Sequence, residues 1–585
     1  MMGMIIPRPD FERSEIRLLD GLWYFEFDDY NQYTIEEMND ISSYTKKILV
    51  PYPYQSKKSG IGDESFHDIV WYMKDFSVSD KTLNGNVFLN FGAVDYFSEI
   101  WLNGKKLGEH KGGYDSFKFE VSKFLKRNNR LVIRVVDKHE DQPRGKQDSN
   151  FHPSGCRYMR VTGIWQPIWI EKAGIGYIEW FKVFPKINGT IRIQVKMGGK
   201  LDGSKLIVEV FFYEGSVGYK SVEVNNSFLD FEMELEEIHL WSVDDPDIYT
   251  LTLRIENSGE IEDVVKGYFG LREISVRNGN IYLNNKPLYF QAVLDQGFYP
   301  NGIYVPDTPE DFLKDLKAVK DLGFNGVRAH QKPPDPRYLY FADRLGVVIW
   351  EEMGDWGMEI NKKNIEDFIV QWRNIVNRDF NHPSIIAWVP FNERNDLYED
   401  KVKQELVLCV YKETKNIDPT RLVIDTSGYS HVATDILDIH DYRDTTKLTG
   451  LQYKKLWDEY RKGTSEIPAS GHLMSKAFNY DGQPIIISEF GGWGIEGQKP
   501  ILNRPKIAYM VLPSPFDVER KYRDIVLAIA EVSEIAGYCY TQLYDVEGEL
   551  NGFLTYDRKW KVDPVNIQKV NVLAYKKWLE NLKNK

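Results

Sequence analysis

Cysteine is scarce in this chain. Cys156, Cys409 and Cys539 serve 585 residues, and they lie too far apart for a CxxC metal clip or a disulfide framework; each is expected to be a small buried apolar residue. Long apolar runs are missing too. No stretch of about 18 apolar residues occurs, and "MMGMIIPRPDFERSE" meets Pro7 and Asp10 before the apolar segment of a secretory signal could form. A soluble, cytoplasmic protein is expected. Positive charge is in deficit: 74 Lys and Arg face 87 Asp and Glu, a formal net charge of −13, which opposes partners such as nucleic acid or anionic membranes. There is no Walker A loop, HExxH helix or GxSxG elbow. Gly492, Gly494 and Gly497 in "GGWGIEG" match GxGxxG, yet the following "QKPILNRP" cannot open a helix, so neither a dinucleotide nor any other cofactor is expected. Aromatics, by contrast, are plentiful at 14%, with 15 Trp and 35 Tyr. Large β cores or sugar-stacking surfaces would use them.

The texture changes twice along the chain. From Phe11 to about Lys172, short alternating runs such as "NVFLNFGAV", "SEIWLNGKKLGEH" and "NRLVIRVVD" are separated by the turn pairs Asn84-Gly85, Asn103-Gly104 and Gly112-Gly113, the pattern of an all-β sandwich. From about Ala173 to Gly270, "TIRIQVKM", "KLIVEVFFYEG" and "DIYTLTLRIEN" predict a second, smaller sandwich. Strand and helix then alternate. Eight apolar strands are predicted at "LYFQAV" (288–293), "NGVRAH" (325–330), "GVVIWEEM" (346–353), "SIIAWVPFNE" (384–393), "RLVIDTSG" (421–428), "ILDIHDY" (436–442), "PIIISEFGG" (484–492) and "GYCYTQLYD" (537–545). Most gaps carry a helical repeat. In "TPEDFLKDLKAVKDLG", Thr308 is placed as the cap and Pro309 at the first helical position. Eight such units over about 310 residues fit a (β/α)8 barrel. The domains are thus drawn as 1–172, 173–272 and 273–585.

Barrel chemistry is done at the C-terminal ends of the strands. Glu393 ends one apolar strand and Glu489 another. Either carboxylate alone could cap a helix or pair with a nearby cation such as Arg394. Two on nearby strand ends meet the requirement of glycoside hydrolysis, one carboxyl giving a proton while the other stays ionised.

Around these residues, "NHPSIIAWVPFNERND" and "PIIISEFGG", together with "RVTGIWQPIWIE" (160–171) at the end of the first sandwich, resemble glycoside hydrolase family 2, the family of β-galactosidases, β-glucuronidases and β-mannosidases. The resemblance spans nearly the whole chain. It implies a jelly-roll sugar-binding-like domain, an immunoglobulin-like sandwich and a TIM barrel, in this order. It also implies that Glu393 is the general acid/base, Glu489 the nucleophile and Asn392 the holder of the sugar 2-hydroxyl, that Arg328 orients the nucleophile, and that Tyr442 hydrogen-bonds to it. A carboxyl that must donate a proton needs desolvation or a nearby negative charge, so a raised Glu393 is expected. His330 and His440 are placed as sugar contacts, with a satisfied structural role as the competing reading. Trp350, Trp356, Trp388 and Trp493 are candidates for a stacking wall; Trp388, inside its strand, is the first of them to suspect as core. Asp355, Asp425 and Asp545 are read as loop caps or peripheral sugar contacts.

Departures from the family bear on specificity. Leu294-Asp295-Gln296-Gly297 stands where β-galactosidases carry a His-containing loop, and Asp295 and Gln296 are read as hydrogen-bonding to ring hydroxyls rather than only shaping the turn. Tyr540 stands where many members have a Trp platform. Asn551-Gly552-Phe553 replaces the Asn-x-Lys of glucuronidases, which argues against uronic acids, although Arg504 or Lys506 could replace the lost cation. "VRAHQKPP" differs from the family's Ser-His-Tyr-Pro loop, so the divalent site of some β-galactosidases is not carried over and no metal is expected. The expected function is a retaining exo-glycosidase for a terminal neutral β-linked sugar, β-galactoside first. β-Mannosidase, β-glucosidase, α-L-arabinofuranosidase and β-galactofuranosidase are alternatives, with β-glucuronidase behind them. An inactive carbohydrate-binding protein and a structural β-sandwich adhesin are the readings from other classes. The expected partner is a small oligosaccharide or glycoside, with a homo-oligomer left open.

Overall fold

The computed structural model describes residues 6–443, 450–462, 466–467, 471–476, 478–502 and 504–584; residues 1–5 of the N-terminal stretch read above lie outside them. In the first sandwich, a four-stranded sheet (Ile16–Leu18, Ile168–Ala173, Asn86–Phe91, Phe117–Glu120) accompanies a six-stranded one (Lys46–Val50, Gly21–Phe27, Ile69–Ser77, Asn128–Val136, Phe97–Leu102, Lys105–Lys111). Alternation decides which face is buried. Leu131, Ile133 and Val135 point into a core shared with Val87, Leu89 and Phe91 of the other sheet. The Asn103-Gly104 pair turns the Phe97–Leu102 hairpin with both residues at positive φ, 53° and 76°, which is what a tight two-residue hairpin needs. The second sandwich pairs Gly176–Pro185, Thr190–Gly199 and Phe228–Glu234 in one sheet and Gly215–Glu223, Ser204–Phe212, Tyr249–Asn257 and Glu260–Phe269 in the other. Ile191, Ile193 and Val195 meet Leu206, Val208 and Val210 between them.

The barrel strands run Phe290–Asp295, Gly326–Ala329, Val348–Glu352, Ile385–Val389, Leu422–Val423, Leu437–His440, Ile485–Gly491 and Ile535–Thr541. They are hydrogen-bonded in parallel in the order fifth, fourth, third, second, first, eighth, seventh, sixth. All eight predicted strands are present, and every residue in them is buried, as expected for a parallel sheet covered on both faces. A small antiparallel sheet (Ile274–Arg277, Asn280–Leu283, Lys286–Leu288) leads into the barrel. Its Ile281, Leu283 and Leu288 cluster with Phe290, Val348, Ile386 and Ile486, near the starts of their strands, leaving the opposite end for polar groups. The fifth and sixth strands are joined by a loop that carries the short strand Thr426–Ser427, without a helix.

Two local expectations need correction. Helix Glu310–Asp321 begins after Pro309, which occupies the cap position without a side-chain bond; Thr308 instead donates from its amide and hydroxyl to Asp311 at 2.9 and 3.2 Å. The acidic side chain, not the hydroxyl, is the acceptor. The thiols also differ from one another: Cys539 is buried, Cys156 is half-buried in a loop, and Cys409 is exposed on helix Lys401–Ile417.

First sandwich and barrel share a core. Tyr52, Tyr114, Tyr158 and Trp165 belong to the same apolar cluster as Phe298, Tyr304 and Val327. The irregular segment 137–162 of the sandwich lies across the barrel mouth, where the Arg144 amide donates to the Trp356 carbonyl (2.8 Å) and the Gly145 amide to that of Gly354 (2.9 Å). No described helix is long and apolar enough to cross a membrane.

Candidate active site

The fourth barrel strand ends in a two-residue extension, Phe391–Asn392, paired with Thr426–Ser427. Glu393 follows with φ at +55°, and its amide donates to the Ser427 carbonyl at 2.9 Å. This left-handed step turns the carboxylate out of the strand line and is an unfavourable conformation for a residue with a side chain. Glu393 Oε1 accepts from the Tyr429 hydroxyl (3.0 Å) and lies 2.8 Å from His440 Nδ1. Glu489, inside the seventh strand, accepts from Arg328 Nη1 at 2.7 Å and from the Tyr442 hydroxyl at 2.6 Å. A carboxylate oxygen from each Glu and a ring nitrogen of His440 all lie within 4.8 Å of one another. That closeness suits attack by one carboxylate on a centre the other protonates; pairs that must admit a water between them stand about 6.5 to 9.5 Å apart. The three donors are also near enough to chelate a cation, but each is already committed to the hydrogen bonds just described.

Arg328 organises the floor. Fully buried, it donates to Glu352, to Glu489, to Asn392 Oδ1 (2.7 Å) and to the Ser488 carbonyl (3.2 Å). Glu352 takes two further contacts, the Gln331 amide at 3.1 Å and His330 Nδ1 at 2.7 Å. The Asn392 amide nitrogen Nδ2 has no protein partner, so a buried donor remains for a ligand hydroxyl. A cavity of 470 Å³ opens over Glu393, lined also by Arg157, Trp356, Arg394 and Tyr429.

Burial pushes the Glu489 carboxyl up, but His440 and Arg328 outweigh it and hold the group below the ordinary carboxylate range. It is ionised, as a nucleophile must be. Glu393 departs from expectation. Burial again pushes upward, yet the His440 hydrogen bond and charge, Lys146 and Tyr429 together bring it down to about 2. The expected raised acid is corrected: a cationic surround, which the sequence did not reveal, overrides desolvation.

Three family models tile the chain: the glycosyl hydrolases family 2 sugar binding domain over residues 16–167, the central family 2 domain over 177–272, and the family 2 TIM barrel domain over 274–499. The chain belongs to glycoside hydrolase family 2. Among curated relatives of this family 2 member, a putative β-glucuronidase of Formosa agariphila is 27% identical over 72% of this chain and 41% of its own length. A β-glucuronidase of Streptococcus agalactiae is 25% identical over 83% and 84%. A β-galactosidase of Thermoanaerobacterium thermosulfurigenes is 28% identical over 73% and 60%. The chain thus spans less than two thirds of the first and third. The solved β-D-glucuronidase of Dictyoglomus thermophilum superposes with a TM-score of 0.77 at 21% identity, over 97% of this chain and 99% of that one; the likeness is one of fold.

Within this family 2 barrel, Glu393, Glu489, Asn392, Arg328 and Tyr442 converge, and Trp356 joins them at the cavity wall, its indole nitrogen donating to the Asn392 carbonyl at 3.1 Å. The other candidates do not line this cavity. Asp295 is spent on the hydroxyls of Tyr338 (2.9 Å) and Tyr544 and on the Gly297 amide (2.8 Å), so it shapes the first-strand turn; Gln296 lines the same small cavity beside it. Tyr540 is fully buried against Phe553, ring centroids 4.1 Å apart, and Trp493 packs on both Phe490 and Tyr540. Trp350 and Trp388 are core. His330 and His440 are enclosed, with His330 Nδ1 against Glu352 and His440 Nδ1 against Glu393. Asp425 caps a loop through the Val432 and Ala433 amides, Asp545 accepts from Lys561 and the Gly552 amide, and Asp355 steadies the Asn392 amide at 3.0 Å.

Four participants were missed. Glu352 ends the third strand much as Glu393 ends the fourth, and the strand-end rule applied evenly would have found it. Tyr429 and Tyr509 sit in loops that carry no motif; Tyr509 stacks on Tyr442 at 4.1 Å. Lys146 comes from segment 137–162, and a structureless stretch of that length in a compact sandwich is itself a signal of a functional loop. Its ammonium lies 4.0 Å over the Trp356 ring, and the carboxylates it senses are Glu549, Glu393 and Glu489.

Proposed function

We propose that this family 2 enzyme is a retaining exo-β-glycosidase working by double displacement, with Glu489 attacking the anomeric carbon and Glu393 serving as acid and then base. The observation that carries this reading is the juxtaposition of the two carboxylates within 4.8 Å at the mouth of the barrel. Arg328 and Tyr442 fix the Glu489 oxygens, and the unpartnered Asn392 Nδ2 is placed to hold the sugar 2-hydroxyl as oxocarbenium character develops. The sandwich segment lies across the mouth and lends Arg157 to the cavity wall, in keeping with attack on a terminal sugar. A neutral sugar, β-galactoside first, follows from Phe553 standing where an Asn-x-Lys cation would be.

One observation favours a second reading, a β-linked hexuronic acid. Lys146 brings a buried cation, with no ion-pair partner among the described residues, to the site by another route. Arg504 and Lys506, the substitutes considered from sequence, are engaged instead with Glu64 and with the Ile495 and Gln498 carbonyls. The test is hydrolysis of nitrophenyl β-galactoside, glucoside, mannoside, xyloside, glucuronide and galacturonide, with α-L-arabinofuranoside and β-galactofuranoside, followed by NMR of the first-formed sugar. Retained anomeric configuration is expected, and the best substrate names the sugar; an inverted first product would overturn double displacement.

A further inference from the structure

Among the described residues, His440 is the one side chain with ring nitrogens near both carboxylates. Nδ1 is 2.8 Å from Glu393 Oε1, and Nε2 is 3.4 Å from Glu489 Oε1. Nε2 is also 3.1 Å from Ser427 Oγ and 3.1 Å from Arg328 Nη1. Ser427 is not free to donate to the ring. Its hydroxyl proton is given to Asp438 Oδ2, which Ser488 also serves, and Asp438 faces His431, held in turn by Asp425 (2.8 Å). A lone pair of Ser427 Oγ therefore faces Nε2, and the two protons of Arg328 Nη1 are taken by Glu489 and the Ser488 carbonyl, which leaves Nε2 as the donor. The remaining nitrogen, Nδ1, then meets a carboxylate oxygen at hydrogen-bond distance, and two bare acceptors cannot hold that separation. One proton lies on that line.

We propose that His440 is a positioning residue that stores the proton Glu393 delivers, so that the working acid of this enzyme is the Glu393–His440 pair. The idea rests on the glycosidase reading and explains how a carboxylate held ionised in the free enzyme can serve as a general acid. In the first step the stored proton passes from Nδ1 to Glu393 and on to the leaving oxygen, while the C1–O bond breaks and Glu489 forms the ester. In the second step, water bonds to C1 and the ester bond breaks; the proton released by the water returns to the pair. Nothing beyond substrate and water is consumed. The groups that face the ring are Glu393 from the fourth strand, Ser427 and Tyr429 from the loop after the fifth, Arg328 and His330 from the second, and Ser488 and Glu489 from the seventh, with Lys146 beyond Glu393. Only Glu393 both meets Nδ1 and opens to the cavity.

The test compares wild type, His440→Asn and Glu393→Gln on aryl glycosides of the sugar the wild type prefers, with leaving groups from dinitrophenol to plain phenol. Loss of general-acid help is worth about 100- to 10,000-fold when the leaving group needs a proton. His440→Asn should therefore cut kcat on the phenyl glycoside by at least about 100-fold while sparing the dinitrophenyl one, and the basic limb of kcat/KM should move to lower pH. Equal losses on all leaving groups with an unmoved basic limb would overturn the proposal. A second measurement stands apart from turnover: 15N NMR of labelled histidines in wild type and Glu393→Gln. One ring doubly protonated and altered by Glu393→Gln is expected. A ring whose proton stays on Nδ1 throughout the working pH range would exclude the store even in a chain that cleaves none of the glycosides, whereas silence on every glycoside with the NMR result as expected would overturn the glycosidase reading alone.

Discussion

Tyr442→Phe isolates one hydrogen bond at the nucleophile. The hydroxyl donates 2.6 Å to Glu489 Oε2 and stands 3.0 Å from Thr541 Oγ1, while the ring stacks on Tyr509 at an interplanar angle of 11°. Phenylalanine keeps the ring and its stacking and removes only the oxygen. A hydrogen bond to a charged partner contributes about 1.5 to 3 kcal/mol, and Glu489 regains its full negative charge as the glycosyl ester is cleaved. Deglycosylation should therefore slow by about 10- to 150-fold, since about 1.4 kcal/mol is a factor of ten. The covalent intermediate should then accumulate and be seen by mass spectrometry of the quenched enzyme as the mass of one sugar residue. The bond also favours ionised Glu489, so its loss should raise the acid limb of kcat/KM by about one to two pH units. The melting temperature should move little, because the packing is unchanged. A kcat within two-fold of wild type together with an unmoved acid limb would refute the argument that Tyr442 supports a working carboxylate at Glu489.

Other substitutions probe separate parts of the structure. Glu489→Ala should abolish turnover, and added azide should then give a glycosyl azide of inverted configuration; full residual activity would remove Glu489 from the nucleophile role. Lys146→Met should leave KM for neutral glycosides within about two-fold but raise it about ten-fold or more for any hexuronide the wild type cleaves, the share of a charge-assisted contact; an unchanged hexuronide KM would exclude Lys146 as the acid-group anchor. Burial would lower the His431 pKa, but Asp425 and Asp438 raise it to about 9 from an ordinary 6.5. Its stabilising share is thus complete below pH 6.5 and disappears as pH rises towards 9, so His431→Gln should flatten the fall of the melting temperature over that window, and an unaltered slope would place the titration elsewhere.

The barrel was legible because its strands are apolar on both faces and end abruptly in charge. Phe391-Asn392-Glu393 and Ile487-Ser488-Glu489 announce their positions without help from distant residues. What the sequence concealed were encounters between segments far apart in the chain. Lys146 is 247 positions from Glu393 in the numbering, and nothing in its neighbours "RGKQD" says that it reaches Trp356 and lowers the carboxyl it was not expected to touch. His440 could be seen at the end of the sixth strand, but only the Asp438 to Ser427 contact shows which of its nitrogens is free to hold a proton.

The same distinction explains the errors. Asp295 and Tyr540 end or occupy barrel strands just as Glu393 and Glu489 do, and the strand-end rule cannot separate a polar group that faces the cavity from one consumed by a neighbour. Tyr338 and Tyr544 consume Asp295; Phe553 covers Tyr540. For Asp295, hydroxyl donors on the helix after the second strand and in the loop after the eighth satisfy both oxygens, leaving no acceptor directed at a sugar. Asn392 is the reverse case, since its Oδ1 is taken by Arg328 and its Nδ2 by nothing in the protein. A buried amide left half-satisfied beside two carboxylates costs stability unless a ligand completes it, and that incompleteness, more than strand position, sets Asn392 apart from Asp295 and Tyr540, whose polar atoms are taken by the protein.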